Sequence, residues 1–353
     1  MGLLVFLRRP SYKEAMTAQH APRILTTVVG SYPVPDWLVA LPSEQALIDA
    51  TSVVFKIQEL AGIDVVADGE LYRFDINHPD TNGMIDYFVR PLGGIRSRIG
   101  HTDIEVFSEM NEMRFRSKPA AVVEGPLTEG TLDLVGDFQR ARKLTKSALK
   151  FTVTGPHMLS RTVLNQHYQS PGDLALALAW VLASQVSQIN ADVVQIDEAN
   201  ITGRPEDAAW AVPAINHVLD AVSSQKAMHL CFGNYGGQTI QRGTWGKLID
   251  FINQLHVDHV VLEMARRDPG EMAFLRGLHH HIAIGLGVID VKSTIIETPD
   301  EVARQIQRAE EILGEGRVRY VHPDCGFWML RRSIADRKMC ALVEGRNLYL
   351  GIK

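Results

Sequence analysis

The chain is 353 residues long, 46% hydrophobic and 22% charged, with a formal net charge of −5. That composition can bury a large core and excludes disorder, and it gives no electrostatic reason to expect nucleic acid or an anionic membrane surface as partner. Three scattered cysteines, Cys231, Cys325 and Cys340, exclude a disulfide framework, and their odd number fits a reducing, cytoplasmic setting.

Residues 1–22 read as a loosely ordered tail. Its apolar run 3–7 precedes Arg8 and Arg9, so it is too short and wrongly flanked for a signal-peptide core. No window approaches the length of a membrane span. Beyond the tail, β-branched runs alternate with longer helical patterns. The runs 26–31, 63–70, 151–155, 192–198, 227–232, 259–265, 282–290 and 318–324 are mostly continuous Val, Ile and Leu, as parallel strands covered on both faces require. Amphipathic stretches at 43–61, 171–189, 205–222, 299–313 and 333–348 predict helices between them. Pro171, Pro205 and Pro299 suit first helical turns, and Ser333 could cap the last helix.

Eight strands alternating with helices predict a (βα)8 TIM barrel of the α/β class, with 23–353 as one catalytic domain. Residues 77–129 break the rhythm with Gly93-Gly94 and short alternating runs, and are expected to form a β-rich insertion after the second strand. The triplet His279-His280-His281 precedes a strand, at the barrel end away from the chemistry, and is expected in a solvated loop. A homo-oligomer is left open.

Four donors stand at predicted strand ends, where barrel enzymes place their chemistry. His229 and Cys231 are two apart, so they share one face of a strand. Glu263 closes the apolar run Val260-Val261-Leu262, and Cys325 closes the run that begins at Val318. Together they form a set of the kind zinc prefers. Cys340, inside the last helix, reads as a small packing residue. Two thiolates, a carboxylate and a neutral imidazole around a dication sum to a formal charge of about minus one. Such a site is a weak Lewis acid for water and better suited to holding a substrate thiol deprotonated and nucleophilic. The predicted chemistry is S-alkylation. Asp197 and Glu198, ending a buried strand, read as a charged site, with an ion pair to Arg73 or Arg204 as the alternative.

The chain resembles the catalytic half of cobalamin-independent methionine synthase. The resemblance rests on Thr26-Thr27-Val28-Val29-Gly30-Ser31-Tyr32-Pro33, on Asp68-Gly69-Glu70 with Arg73 and Asp75, and on Val153-Thr154-Gly155-Pro156 and Gln195-Ile196-Asp197-Glu198. It continues through His229-Leu230-Cys231, Glu263, Gly285-Leu286-Gly287-Val288-Ile289-Asp290 and Pro323-Asp324-Cys325-Gly326. It implies that His229, Cys231, Glu263 and Cys325 bind Zn2+, which carries the homocysteine sulfur. It also implies that Ser31, Glu70 and Asp197 hold the amino acid; Glu198 and Arg73 join this candidate substrate set. Glu263, Asp290 and Lys292 are the candidate catalytic residues.

Two positions depart from the family pattern: Thr162 stands near the place of a tryptophan, and Lys292 replaces a histidine on the donor side. The expected partners are a small thiol and a methyl donor, whether folate, corrinoid or another. Two further readings stand beside a zinc-dependent methyltransferase. One is a zinc thiol alkyltransferase like epoxyalkane:coenzyme M transferase, whose sulfonated thiol would draw on Lys292, Arg73 and Arg161. The other is a metal-free, decarboxylase-like or ligand-binding barrel.

Overall fold

Parallel pairing of strands that are apolar on both faces sets the architecture. The computed structural model describes residues 24–74, 82–110, 116–234 and 237–352; the tail expected over 1–22, and Asp75, lie outside them. In chain order the strands are β1 (Leu25–Thr26), β2 (Val65–Ala67), β3 (Gly93–Arg96), β4 (Val122–Thr128), β5 (Ala148–Thr154) and β6 (Leu164–Asn165). They continue as β7 (Val193–Asp197), β8 (Gln225–Leu230), β9 (His259–Leu262), β10 (Ala283–Ile289) and β11 (Val318–Pro323). Eight of them form one sheet in the order β1-β11-β10-β9-β8-β7-β5-β2. Parallel bridges between Thr27 and Val65, and between Ser31 and Gly69, join its two edges, so the sheet curls into the expected TIM barrel.

Helices pack outside. Glu44–Ala61 opens on Ser43, whose side chain accepts from the Ala46 amide, and stops at Gly62 in the left-handed region. Pro299–Leu313 opens on a full capping box of Thr298 and Glu301. The last helix, Arg332–Leu350, differs from expectation: its N-cap is Arg331 with no side-chain cap, which leaves Ser333 inside the first turn. Cys340 lies exposed on that helix and packs no core.

The apolar core is split by the barrel wall. A large cluster lies between strands and helices, and a small one, including Val29, Val65, Val193, Ala227 and Val261, fills the barrel itself. The side-chain period of two decides which residue points where. Val193 in the inner cluster puts Gln195 and Asp197 on the inner face, and Ala227 does the same for His229 and Cys231.

Several strands are shorter than their apolar runs. The run 63–70 yields only Val65–Ala67, because Gly69 (φ 80°) and Glu70 (φ 59°) swing the chain off the sheet and into the mouth. The insertion is mixed, with helices Asp86–Val89 and His101–Met110 beside β3 and β4. Its small sheet, ordered β3-β4-β6, recruits a strand from the loop after β5. Residues 75–81 and 111–115 of this region lie outside the described set. His279, His280 and His281 are exposed before β10, as expected of a solvated loop.

Candidate functional site

Because all barrel strands are parallel, their carboxyl ends share one mouth. β8 brings His229 there, and Cys231 follows two residues later on the same face. Cys325 arrives just past β11. One ligand atom from each of these three residues lies within 4.8 Å of the others. The two Sγ atoms are 3.9 Å apart, well short of bonding, and both thiols are free. His229 and Cys231 are buried. The neighbouring Cys325 sulfur, with burial, holds the Cys231 thiol well above its ordinary range.

The imidazole is oriented by its neighbour. Asp197, register partner of His229 across β7 and β8, places Oδ1 3.0 Å from His229 Nδ1. His229 Nε2 is left buried with no hydrogen-bond partner. A carboxylate on one ring nitrogen and no protein partner on the other is the arrangement that metal-binding histidines adopt. With two adjoining thiols that cannot both ionise unaided, the donor set fits a soft divalent cation.

Glu263, the fourth expected ligand, is placed differently. It is level with Cys231, one residue past the paired Leu230 and Leu262. Among the described residues it is not part of the ligand group. Its Oε1 accepts from Lys292 Nζ at 2.8 Å and its Oε2 from the Phe232 amide at 3.0 Å. Asp290 is not among the three donors: its Oδ1 accepts from the Lys292 amide and its Oδ2 lies 3.5 Å from Arg266.

The expected substrate residues form a second cluster beside the donors. Glu70 Oε1 accepts from Thr152 Oγ1 at 2.5 Å and lies 3.4 Å from Arg73. Burial pushes its carboxyl up and the charge of Asp197 adds to that, opposed by the Arg73 guanidinium. Glu70 is the sole non-glycine residue with positive φ among those described, a strained placement of the kind found at functional sites. Gly30 makes room for it, since a Cβ there would stand 2.2 Å from Glu70 Oε1. Ser31 is tied to the Cys325 loop: its carbonyl accepts from the Phe327 amide at 2.8 Å, and a Cβ on Gly326 would meet its Oγ at 1.9 Å.

Glu198 points the other way. It is fully buried and caps the short helix Pro156–Ser160, accepting from the amides of His157 and Met158, each at 2.9 Å. Arg73 donates to the Thr152 carbonyl at 2.6 Å and stacks over Tyr72, Tyr87 and Phe88.

Three supporting residues, two of them inside the motifs quoted above, have roles that the sequence does not assign. Lys150, 1% exposed inside the barrel, donates to Gln195 Oε1 at 2.8 Å. Gln195 Nε2 in turn donates to Asp197 Oδ1 at 2.7 Å. Asp324 accepts from the amides of Met264 and Ala265, each at 2.8 Å, which fixes the turn after Glu263. The available signal was parity: Lys150 and Gln195 fall on the inward face, where an unpaired polar group would be costly.

Residues 24–345 match the family described as "Cobalamin-independent synthase, Catalytic domain". A methionine synthase of Thermococcus kodakarensis is 30% identical over 340 residues, 92% of this chain and 93% of that protein. One of Saccharolobus solfataricus is 28% identical over 343 residues, 93% of this chain and 95% of its own. The solved structure of a B12-independent methionine synthase from a Shewanella species, in complex with selenomethionine, has the same fold. Its TM-score is 0.75 at 23% identity, over 92% of this chain and 97% of that one. Matched over nearly all of its length, the chain belongs to the cobalamin-independent synthase family, as its catalytic domain.

Proposed function

We propose that the protein is a zinc-dependent methyltransferase that methylates the thiol of homocysteine or a similar small amino-acid thiol. The observation that carries this reading is the convergence of His229, Cys231 and Cys325 within 4.8 Å at the barrel mouth, with His229 Nε2 buried and unpartnered. A bound zinc ion would supply a Lewis acid that lowers the pKa of a substrate thiol and keeps its sulfur nucleophilic.

The chain's own residues divide the remaining work. His229, Cys231 and Cys325 would hold the ion, and Asp197 fixes the histidine tautomer through Nδ1. Glu70 and Asp197 are close enough for their charges to interact, and an ammonium group between them would relieve that repulsion. Ser31, bonded to the loop that carries Cys325, would meet the carboxylate end of the amino acid. With homocysteine as acceptor the product is methionine. The methyl donor, whether folate, corrinoid or another, would approach from the open side of the mouth.

The three cations that a sulfonated thiol would need are already engaged: Arg73 with Thr152 and Glu70, Arg161 with Asp207, and Lys292 with Glu263. That favours the amino acid over coenzyme M. All three cysteines are free thiols, in keeping with a cytoplasmic setting. No helix among the described residues is long and apolar enough to cross a membrane.

The test pairs metal analysis with a thiol-consumption assay. Purified protein should hold about one zinc, lost in Cys231→Ser and Cys325→Ser but kept in Cys340→Ser. It should consume homocysteine with one of methylcobalamin, methyltetrahydrofolate or a related donor. Consumption of coenzyme M alone, or a protein without metal, would refute the reading.

A further inference from the structure

Lys292 and Glu263 are joined at 2.8 Å, and each side chain is 1% exposed. Neither end of this pair is loose. The Lys292 amide donates to Asp290 Oδ1 at 2.8 Å, and the Glu263 carbonyl accepts from Trp245 Nε1 at 3.1 Å. The second carboxylate oxygen is bonded to the Phe232 amide. Both oxygens of Glu263 therefore have partners, while the other three donors converge on one another. Freeing Glu263 for a metal would strand the ammonium of Lys292 in a water-excluded site, which is the costly way to break a buried pair.

We propose that Lys292 is a positioning residue that withholds Glu263 from the metal. The ion is then held by three protein ligands, His229, Cys231 and Cys325, and a fourth position is kept for the substrate sulfur. The proposal rests on the metal site argued above. Two thiolates and a neutral imidazole around a dication sum to zero, and the Lys292–Glu263 pair adds nothing. A bound glutamate would make the site anionic and close its tetrahedron, so an incoming thiol would have to displace a ligand. Three protein ligands with one open position is the pattern of catalytic zinc; four closed ligands is that of structural zinc.

The test uses the whole chain loaded with cobalt(II), read by its ligand-field absorption and by chelator competition, neither of which needs turnover. Glu263→Gln keeps one oxygen for Lys292 and should leave the spectrum unchanged, because no ligand is lost; its affinity is not the readout for this variant, since the unpaired ammonium alone can lower it. Lys292→Met releases the carboxylate, so the spectrum should shift and affinity should rise about tenfold or more; the double variant should return both to wild type. A Glu263→Gln variant with an altered spectrum would overturn the proposal, and needs no folded Lys292→Met to do so. A Lys292→Met variant identical to wild type in both readouts would also overturn it. Failure of wild type to bind cobalt or zinc at all is a different result, which removes the metal site itself and this proposal with it.

Discussion

Asp197 Oδ1 sits 3.0 Å from His229 Nδ1 and accepts from Gln195 Nε2 at 2.7 Å. The Val29 carbonyl can only accept, so the Gln195 amide nitrogen donates to it at 3.0 Å and to Asp197, while the Gln195 oxygen accepts from Lys150. Asp197 is then an acceptor on that side, and His229 must carry its proton on Nδ1. That leaves Nε2, which has no partner, as the nitrogen that faces an ion. Partners of this kind are worth about 10–100-fold in metal affinity. Asp197→Ala should weaken zinc binding by about that factor in a chelator competition. An unchanged affinity would mean that the imidazole needs no such partner.

Lys150 also predicts a pH dependence. Burial lowers its pKa from 10.5 to about 7, against the pull of Asp197 and Glu70. Below about pH 7 both folded and unfolded chains hold the proton, and the cost of burying the charge is complete. Between about 7 and 10.5 the unfolded chain binds a proton that the folded one lacks, so this group makes stability rise with pH across that window. The slope is at most about 1.4 kcal/mol per pH unit. Urea unfolding of wild type and Lys150→Met at pH 7 and pH 9.5 should show the variant gaining relative stability at the lower pH. Parallel profiles would rule out a lowered lysine.

Much of this arrangement is legible in the sequence. The near-continuous apolar runs report the parallel strands, and His229 and Cys231, two apart, report a shared face. Cys325 at the close of another run completes the converging trio. What stays hidden depends on side-chain choices across the barrel. That β9 and β10 are neighbours follows from their order, but the pairing of the Glu263 carboxylate with Lys292 depends on rotamers that no spacing encodes. Glu198 was separable from Asp197 by parity alone, since adjacent strand residues face opposite sides. The helix Leu134–Leu144 is obscured in the sequence because its short amphipathic pattern sits between the insertion and β5.

That difference of face gives a third prediction. Glu198 accepts two backbone bonds at the start of Pro156–Ser160, and His157 Nδ1 lies 3.4 Å from it. Removing the carboxylate leaves two buried amides unpaired, at about 1–3 kcal/mol each. Glu198→Ala should therefore lower unfolding stability while leaving the homocysteine KM of the folded fraction within about twofold of wild type. A KM raised about tenfold at unchanged stability would return Glu198 to the substrate pocket.

Gly30 and Glu70 give the fourth. The Cβ of an alanine at 30 would stand 2.2 Å from Glu70 Oε1 and 3.1 Å from Thr152 Cγ2. The carboxylate has little room to retreat, because its backbone is held at φ 59° and Thr152 and Arg73 grip the same oxygen. Overpacking of this kind costs about 1–3 kcal/mol and forces the carboxylate out of those two contacts. Gly30→Ala should then raise the homocysteine KM about tenfold while zinc affinity is untouched, because the displaced group would grip the ammonium and makes no contact with the ion. A change confined to binding energy shared by ground and transition states leaves kcat near wild type. If instead KM holds and zinc affinity falls, Glu70 acts on the metal centre and the ammonium must be held elsewhere.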